Sequence, residues 1–339
     1  MKKTIGIVCF GAAMVCMGGR MDSYEIIKVG QKLTASEVEQ LERALVERPD
    51  DLVGRKKLLG YYWMRQHQHP NEKPARQRQV LWIIEHAPED DIHAMPYGQM
   101  NEFLDGAAYA AGRAAWLKQI EAQPENALIL GNASAYFLQA DHALAEKFLK
   151  KAAVIDPKNP EWPKKLGQLY SLERGADPAA SARRELEQLE IAYERSNGMG
   201  KNYQLKDMAQ AAAAAGDYAK AKQYAQKMLG SPGIDWNSGN NVHHGNMVLG
   251  LVALEEGDVE EAKRRLIASG KTKGSPQLNS FGPNMTLAKA LLEKGETEVV
   301  VEYFELCALF WGRHSDKLEA WTALAKGGVV PDFGANLKY

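Results

Sequence analysis

Cysteine is scarce in this chain: three in 339 residues, Cys9, Cys16 and Cys307, the first two inside one apolar N-terminal run. If that run is removed, Cys307 stands alone and no intrachain disulfide can form, so stability must come from packing. Cys307 lies in the apolar stretch 303–311, where a buried, inert thiol is expected rather than a nucleophile. Excess charge of one sign is also lacking. The formal net charge is −1, from 42 basic and 43 acidic side chains, which excludes a bulk field that would draw nucleic acid or an anionic membrane. No segment alternates in the manner of a strand. The short motifs of catalysis are missing as well: there is no G-x-S-x-G elbow, Walker loop, dinucleotide glycine fingerprint or H-E-x-x-H pair. No cofactor and no metal are expected, and the carboxylates are scattered among lysines and arginines as on a solvated helical surface.

What is present begins with residues 1–20, which read as a signal peptide or membrane anchor. Lys2 and Lys3 precede an uncharged run from Thr4 to Met17. At about 14 residues the run is short for a hydrocarbon core of ~30 Å, and it has secretory proportions. Small residues are poorly placed for cleavage, and Val15 before Cys16 departs from the usual lipidation pattern. The expectation is an exported protein, periplasmic or secreted, with lipid or signal anchoring as the variant and a cytosolic chain starting at Met21 as the alternative.

Beyond it the chain is periodic. Arg48-Pro49, Ala87-Pro88, Gln123-Pro124 and Asp156-Pro157 each close an amphipathic stretch, at spacings of 39, 36 and 33 residues. Proline ends a helix there because it lacks the amide donor and clashes with the preceding turn. Further on the punctuation becomes Gly216-Asp217, Gly257-Asp258 and Gly295-Glu296, spaced by 41 and 38 residues. The glycine closes one helix in the left-handed conformation and the acid caps or favourably charges the next. The unit is helix, tight turn, helix, with helices expected near 36–48, 52–67, 74–86, 97–105, 108–122, 127–139, 142–155, 161–172, 179–195, 202–215, 218–229, 243–256, 259–268, 283–294, 297–311 and 315–326.

Several units carry a family pattern. Tyr136, Ala145, Leu149, Ala152 and Pro157 place an aromatic, two small residues, a bulky one and a terminal proline. Leu166-Gly167-x-x-Tyr170 opens the next unit, and Gly216-Asp217-Tyr218 with Ala221, then Leu249-Gly250, Gly257-Asp258, Ala262 and Leu266, follow at matching spacing. Leu287-Ala288, Gly295 and Phe304 continue it, with Val300 in place of alanine. From about Ser36 to Phe310 the chain resembles the tetratricopeptide-repeat family. The resemblance implies an all-α, right-handed superhelical solenoid of antiparallel helix hairpins, about seven to eight pairs over 21–326, followed by an irregular tail at 327–339. It also implies a non-catalytic scaffold that binds a protein or peptide along its first helices. By that analogy Lys164, Gln168, Lys206, Gln210, His244, Met247 and Lys289 face the partner. Lys164 and Lys206 stand where a carboxylate-clamping lysine would, but Gln168 and Gln210 replace the expected asparagines.

The most unusual stretch runs from Asp235 to Asn246 and holds Trp236, Asn240, Asn241, His243 and His244. It reads as an Asn/Gly-rich loop entering a helix, with ligand contact as the functional alternative. Adjacent histidines lack the i, i+4 spacing and further ligands of a metal site. The turn-rich linker Ser275–Asn284 would lie on the same edge and line a groove with it. Gln66-His67-Gln68-His69 reads as a helix end favoured by cationic histidine. Two other functions remain in view. One is a self-associating envelope module; the other is an all-α glycan-active enzyme, which the seven tryptophans make worth naming and which a carboxylate pair facing one cleft would favour.

Overall fold

The computed structural model describes residues 22–173, 175, 177–230 and 237–338; residues 1–21, Trp236 and the rest of 231–236 lie outside them. Among the described residues the chain is all-α, built of helices, short 3-10 turns and loops with no strand. The described residues divide into two compact units, one of those up to 124 with 135–140, the other of 125–134 with those from 141 onward.

The first unit contains α1 (Ser23–Gly30), α2 (Ala35–Glu47), α3 (Leu52–Arg65), α4 (Lys73–His86), α5 (Glu102–Asp105) and α6 (Ala107–Ala122). Helix α3 packs on α1, α2 and α4, and α4 on α6. Helix α1 is absent from the sequence reading; it is short, and Ile26 and Ile27 become core residues only through α3. The helix expected at 97–105 is instead a 3-10 turn at Pro96–Gly98 followed by α5. Asp105 turns back to accept from the Asn101 backbone N–H at 2.8 Å and from the buried Arg76 guanidinium at 2.8 Å, which ends the helix after one turn.

Helix α7 (Ala127–Phe137) carries residues of both units. The second unit continues with α8 (His142–Ile155), α9 (Glu161–Leu172), α10 (Pro178–Arg195), α11 (Met199–Ala214), α12 (Tyr218–Gly230), α13 (Ser238–Glu255), α14 (Val259–Gly270), α15 (Pro276–Phe281), α16 (Thr286–Glu293), α17 (Thr297–Ala308) and α18 (Ser315–Lys326). From α8 to α14 each helix packs on the next, and α14 goes on to α17. This is the serial stacking by which hairpins bury faces that none can bury alone. Small residues sit at the contacts: Ala221, Ala225 and Ala262 are fully buried.

The junctions follow the chemistry of their residues. Gly216, Gly257 and Gly295 have φ of 78°, 84° and 86°. At each, the following residue's N–H reaches back six residues inclusive to the helix: Asp217 to the Ala212 carbonyl, Asp258 to Ala253 and Glu296 to Leu291. Asp217 and Asp258 then accept from the backbone N–H of Lys220 and Glu261 and cap the next helix, whereas Glu296 does not. The tail folds back: Phe333 is fully buried beside Trp321, and Asn336 donates to the carbonyls of Phe281 and Pro283.

Candidate ligand-binding site

The Asn-rich stretch that reads as a loop is, from Ser238 onward, the first turns of α13. Gly239 makes this placement fit, since a Cβ there would come within 1.9 Å of the Gly274 carbonyl oxygen. A side chain would push the 271–275 loop away. The asparagines then bond among themselves and to the linker. Asn237 donates to Asn241 at 3.1 Å, and Asn240 to Asn237 at 2.9 Å. Ser275 donates to Asn240 at 2.6 Å while capping α15.

A cavity of about 270 Å³ opens against this end of α13. Helix α11 contributes Asn202, Tyr203 and Lys206, and α12 contributes Met228. Asn237, Asn240, Asn241 and His244 line it from α13 and its cap; Gln277, Leu278, Phe281 and Gly282 come from α15 and its end. Among the described residues the wall is thus rich in amides, with one lysine, one histidine and an exposed phenylalanine.

The two histidines have different environments. His243 is fully buried and held at both ring nitrogens: Nδ1 donates to the Ser269 carbonyl at 3.2 Å, and Nε2 accepts from the Asn284 N–H at 3.0 Å. Burial pushes it down to about 4, so it is neutral at pH 7. His244 is 6% exposed, and its Nδ1 is buried without a hydrogen-bond partner. Burial, then His243 and Lys206, hold it well below the usual histidine range. Asp207, beside Lys206 on α11, keeps solvent contact yet is crowded by protein, which raises its carboxyl; Lys206 and Lys164 pull it the other way.

Four expected contact residues, Lys206, Asn240, Asn241 and His244, therefore line one cavity. Others do not join them. Met247 is 3% exposed and belongs to the core with Leu266 and Leu291, not to a groove. His243 faces the Ser269 carbonyl and the linker backbone. Lys164 and Gln168 are exposed on α9, with Lys164 3.5 Å from Glu161. Gln210 is half-buried on α11 outside the cavity lining, and Lys289 pairs with Glu293 at 2.5 Å. Trp236 lies outside the described residues. Asn202, Tyr203, Gln277 and Phe281 were missing from the expected set, although the linker holding the last two was read as lining a groove.

A second cleft, of about 580 Å³ and within the first unit, is lined by Asp22, Glu89, Asp90 and Asp91 together with Ser23 and Lys56. Lys56 Nζ lies 2.6 Å from Ser23 Oγ and 2.6 Å from Asp90. Ser23 also bonds Asp91. Although burial alone would raise Asp90, the Lys56 hydrogen bond and its neighbours leave it below the ordinary range. A serine–lysine nucleophile needs a neutral amine, and this one donates to a carboxylate at close range. A glycosidase acid needs a raised carboxyl, the opposite of Asp90. The group ties α1 to α3 and to the turn at Asp91–Ala94.

Among the described residues no set of three His, Cys, Asp or Glu side chains is placed to hold a metal ion, and no helix is long and apolar enough to cross a membrane. Cys307 is fully buried and its thiol is pushed up by burial. The described residues thus form an all-α helical-hairpin protein with a polar, amide-lined cavity. Comparison with family models gives no match to this chain, and comparison with curated proteins gives none either.

Proposed function

We propose that this chain is a tetratricopeptide-like, right-handed α-solenoid scaffold, without catalytic activity, that binds an extended segment of a partner protein in the bacterial envelope or outside the cell. Residues 1–20 serve as its export signal or anchor in this reading. The observation that carries it is the cavity, which gathers Lys206, Asn240, Asn241 and His244 with Gln277 and Phe281. Primary amides donate and accept at once, as a peptide backbone demands, and a lysine and an exposed ring add one charged and one apolar contact. The step from fold to binding role is analogy, and the cavity chemistry supports it.

The test is affinity capture of tagged full-length protein from its native host after mild cross-linking, beside a Lys206→Ala/Asn240→Ala variant shown to fold by circular dichroism. The expected result is a partner enriched by the native chain and lost with the variant. An identical set from both chains would remove the cavity from the binding surface.

A further inference from the structure

The link between α10 and α11 holds the one Asn-Gly pair of the sequence, Asn197-Gly198. Asparagine is a thermolabile residue, least protected when glycine follows, because glycine has no side chain to shield its own backbone nitrogen. Asn197 is exposed, and among the described residues its side chain makes no hydrogen bond. The Gly198 N–H donates to no carbonyl among them, although the Gly198 carbonyl accepts from the Lys201 N–H at 3.2 Å. Gly198 has a φ of 57°, and a Cβ there would meet nothing within 4 Å, so the space around it is open. The flanks are held: Gln204 Nε2 donates to Ser196 Oγ at 2.7 Å and to the Gly200 carbonyl at 3.0 Å. Other asparagines that precede a small residue are restrained. Asn237, before Ser238, is buried and donates to Asn241. Asn279, before Ser280, turns its amide to donate to the carbonyls of Phe310 and Ser275.

We infer that Asn197-Gly198 is a site of spontaneous covalent modification, where the amide becomes aspartate and isoaspartate through a cyclic imide. The Gly198 nitrogen attacks Cγ of Asn197. The new N–C bond replaces the bond from Cγ to the amide nitrogen, which leaves as ammonia with the proton from Gly198. Solvent water then adds to one of the two imide carbonyls. Opening at Cγ restores the original backbone as aspartate. Opening at the main-chain carbonyl routes the backbone through the side chain as isoaspartate, one methylene longer. Nothing is oxidised or reduced, and water is the only reactant taken up. The attacking nitrogen must lose its proton, so conversion quickens as pH rises. Either product puts a carboxylate one residue before Gly198, which precedes α11 and gives it no side-chain cap. Negative charge there favours the positive end of a 16-residue helix. Isoaspartate also lengthens the link whose two ends Gln204 ties together. The chemistry is the same whatever the cavity binds.

The test is ageing of the folded full chain in ¹⁸O-water at pH 6 and pH 8.5, then tryptic digestion in ordinary water and mass spectrometry. Trypsin cuts after Arg195 and Lys201 and releases the pair in the peptide of residues 196–201. Only conversion during ageing carries the heavy oxygen. The expected result is a growing fraction of that peptide with amide replaced by labelled acid, formed severalfold faster at pH 8.5. It should split into aspartyl and isoaspartyl isomers, while the peptides holding Asn237 and Asn279 stay unchanged. Asn197→Gln, whose longer side chain would have to close a larger ring, should abolish the conversion with the fold intact by circular dichroism. Asn197→Asp carries the new charge without the extra methylene and should raise the melting temperature; a fall would overturn the effect on α11. The modification site itself is overturned if Asn197 stays intact in the folded chain while the urea-unfolded chain converts. Conversion no faster than at Asn237 or Asn279 overturns it too. So does labelled aspartate without isoaspartate, because the imide has then not formed.

Discussion

His93 and His243 illustrate how one residue type sets the response to acid. Both are buried, and burial pushes each down to about 4. His93 donates through Nε2 to the Ala87 carbonyl at 3.1 Å and lies edge-on to Trp116, leaving Nδ1 bare. With the folded midpoint below the unfolded one, the unfolded chain binds protons first as pH drops. The stability each ring contributes is therefore complete above about 6.5, falls on acidification and is fully lost only below about 4. The expected loss is on the order of 3 kcal/mol per ring across that window. Urea unfolding at stepped pH checks it: His93→Gln should be less stable than the native chain at pH 7 and lose less on acidification. An equal loss in both chains would show that His93 is not the titrating group.

Lys56 belongs to the same scale. Its ammonium is buried against Ser23 and Asp90, so Lys56→Met leaves a largely buried carboxylate without its cation. A cost of about 3 kcal/mol is expected, with part of it recovered in Lys56→Met/Asp90→Leu. Additive losses in denaturant titration would mean that the two side chains are not coupled.

Among helices the repeated Gly-acid junction is the feature to test. A Cβ at Gly257 meets nothing within 4 Å, so Gly257→Ala isolates the conformational cost of φ near +84°. That cost is about 1–2 kcal/mol. Asp258→Ala removes a real cap and should cost about 1 kcal/mol. Glu296→Ala removes only a surface pair with Lys263 and should cost well under that. Equal losses for the two acids in thermal unfolding would contradict the capping difference. The same junctions were legible in the sequence because glycine followed by an acid has a local meaning. The start of α13 was not legible, since an Asn-rich segment favours loops by local bonding and becomes helical here through Gly239 against Gly274 and the Asn240–Ser275 bond.

For the molecule as a whole, the end of the chain matters more than its glycine-rich composition implies. Phe333 is fully buried against Phe304 and Trp321, and the Asn336 carbonyl accepts from the Met285 N–H at 2.8 Å. Phe333→Ala should cost about 3–5 kcal/mol and lower the melting temperature of the intact protein. A melting curve unchanged by the substitution would show that the tail does not close the second unit.

Proline spacing, Gly-acid pairs and apolar periodicity determined by themselves that this chain is all-α and built from serial hairpins, because caps and helix stops act within a few residues. Lys206 and His244 entered as expected contact residues through the family resemblance, and Asn240 and Asn241 through the unusual stretch at the start of α13. Their meeting with Gln277 and Phe281, the burial of Met247 and the different surroundings of His243 and His244 were decided only by tertiary packing. Adjacent residues on a helix point about 100° apart, so one histidine reaches the Ser269 carbonyl while its neighbour lines the cavity. Which of the two does so depends on where α11, α14 and α15 lie around α13, and no local pattern of residues encodes that.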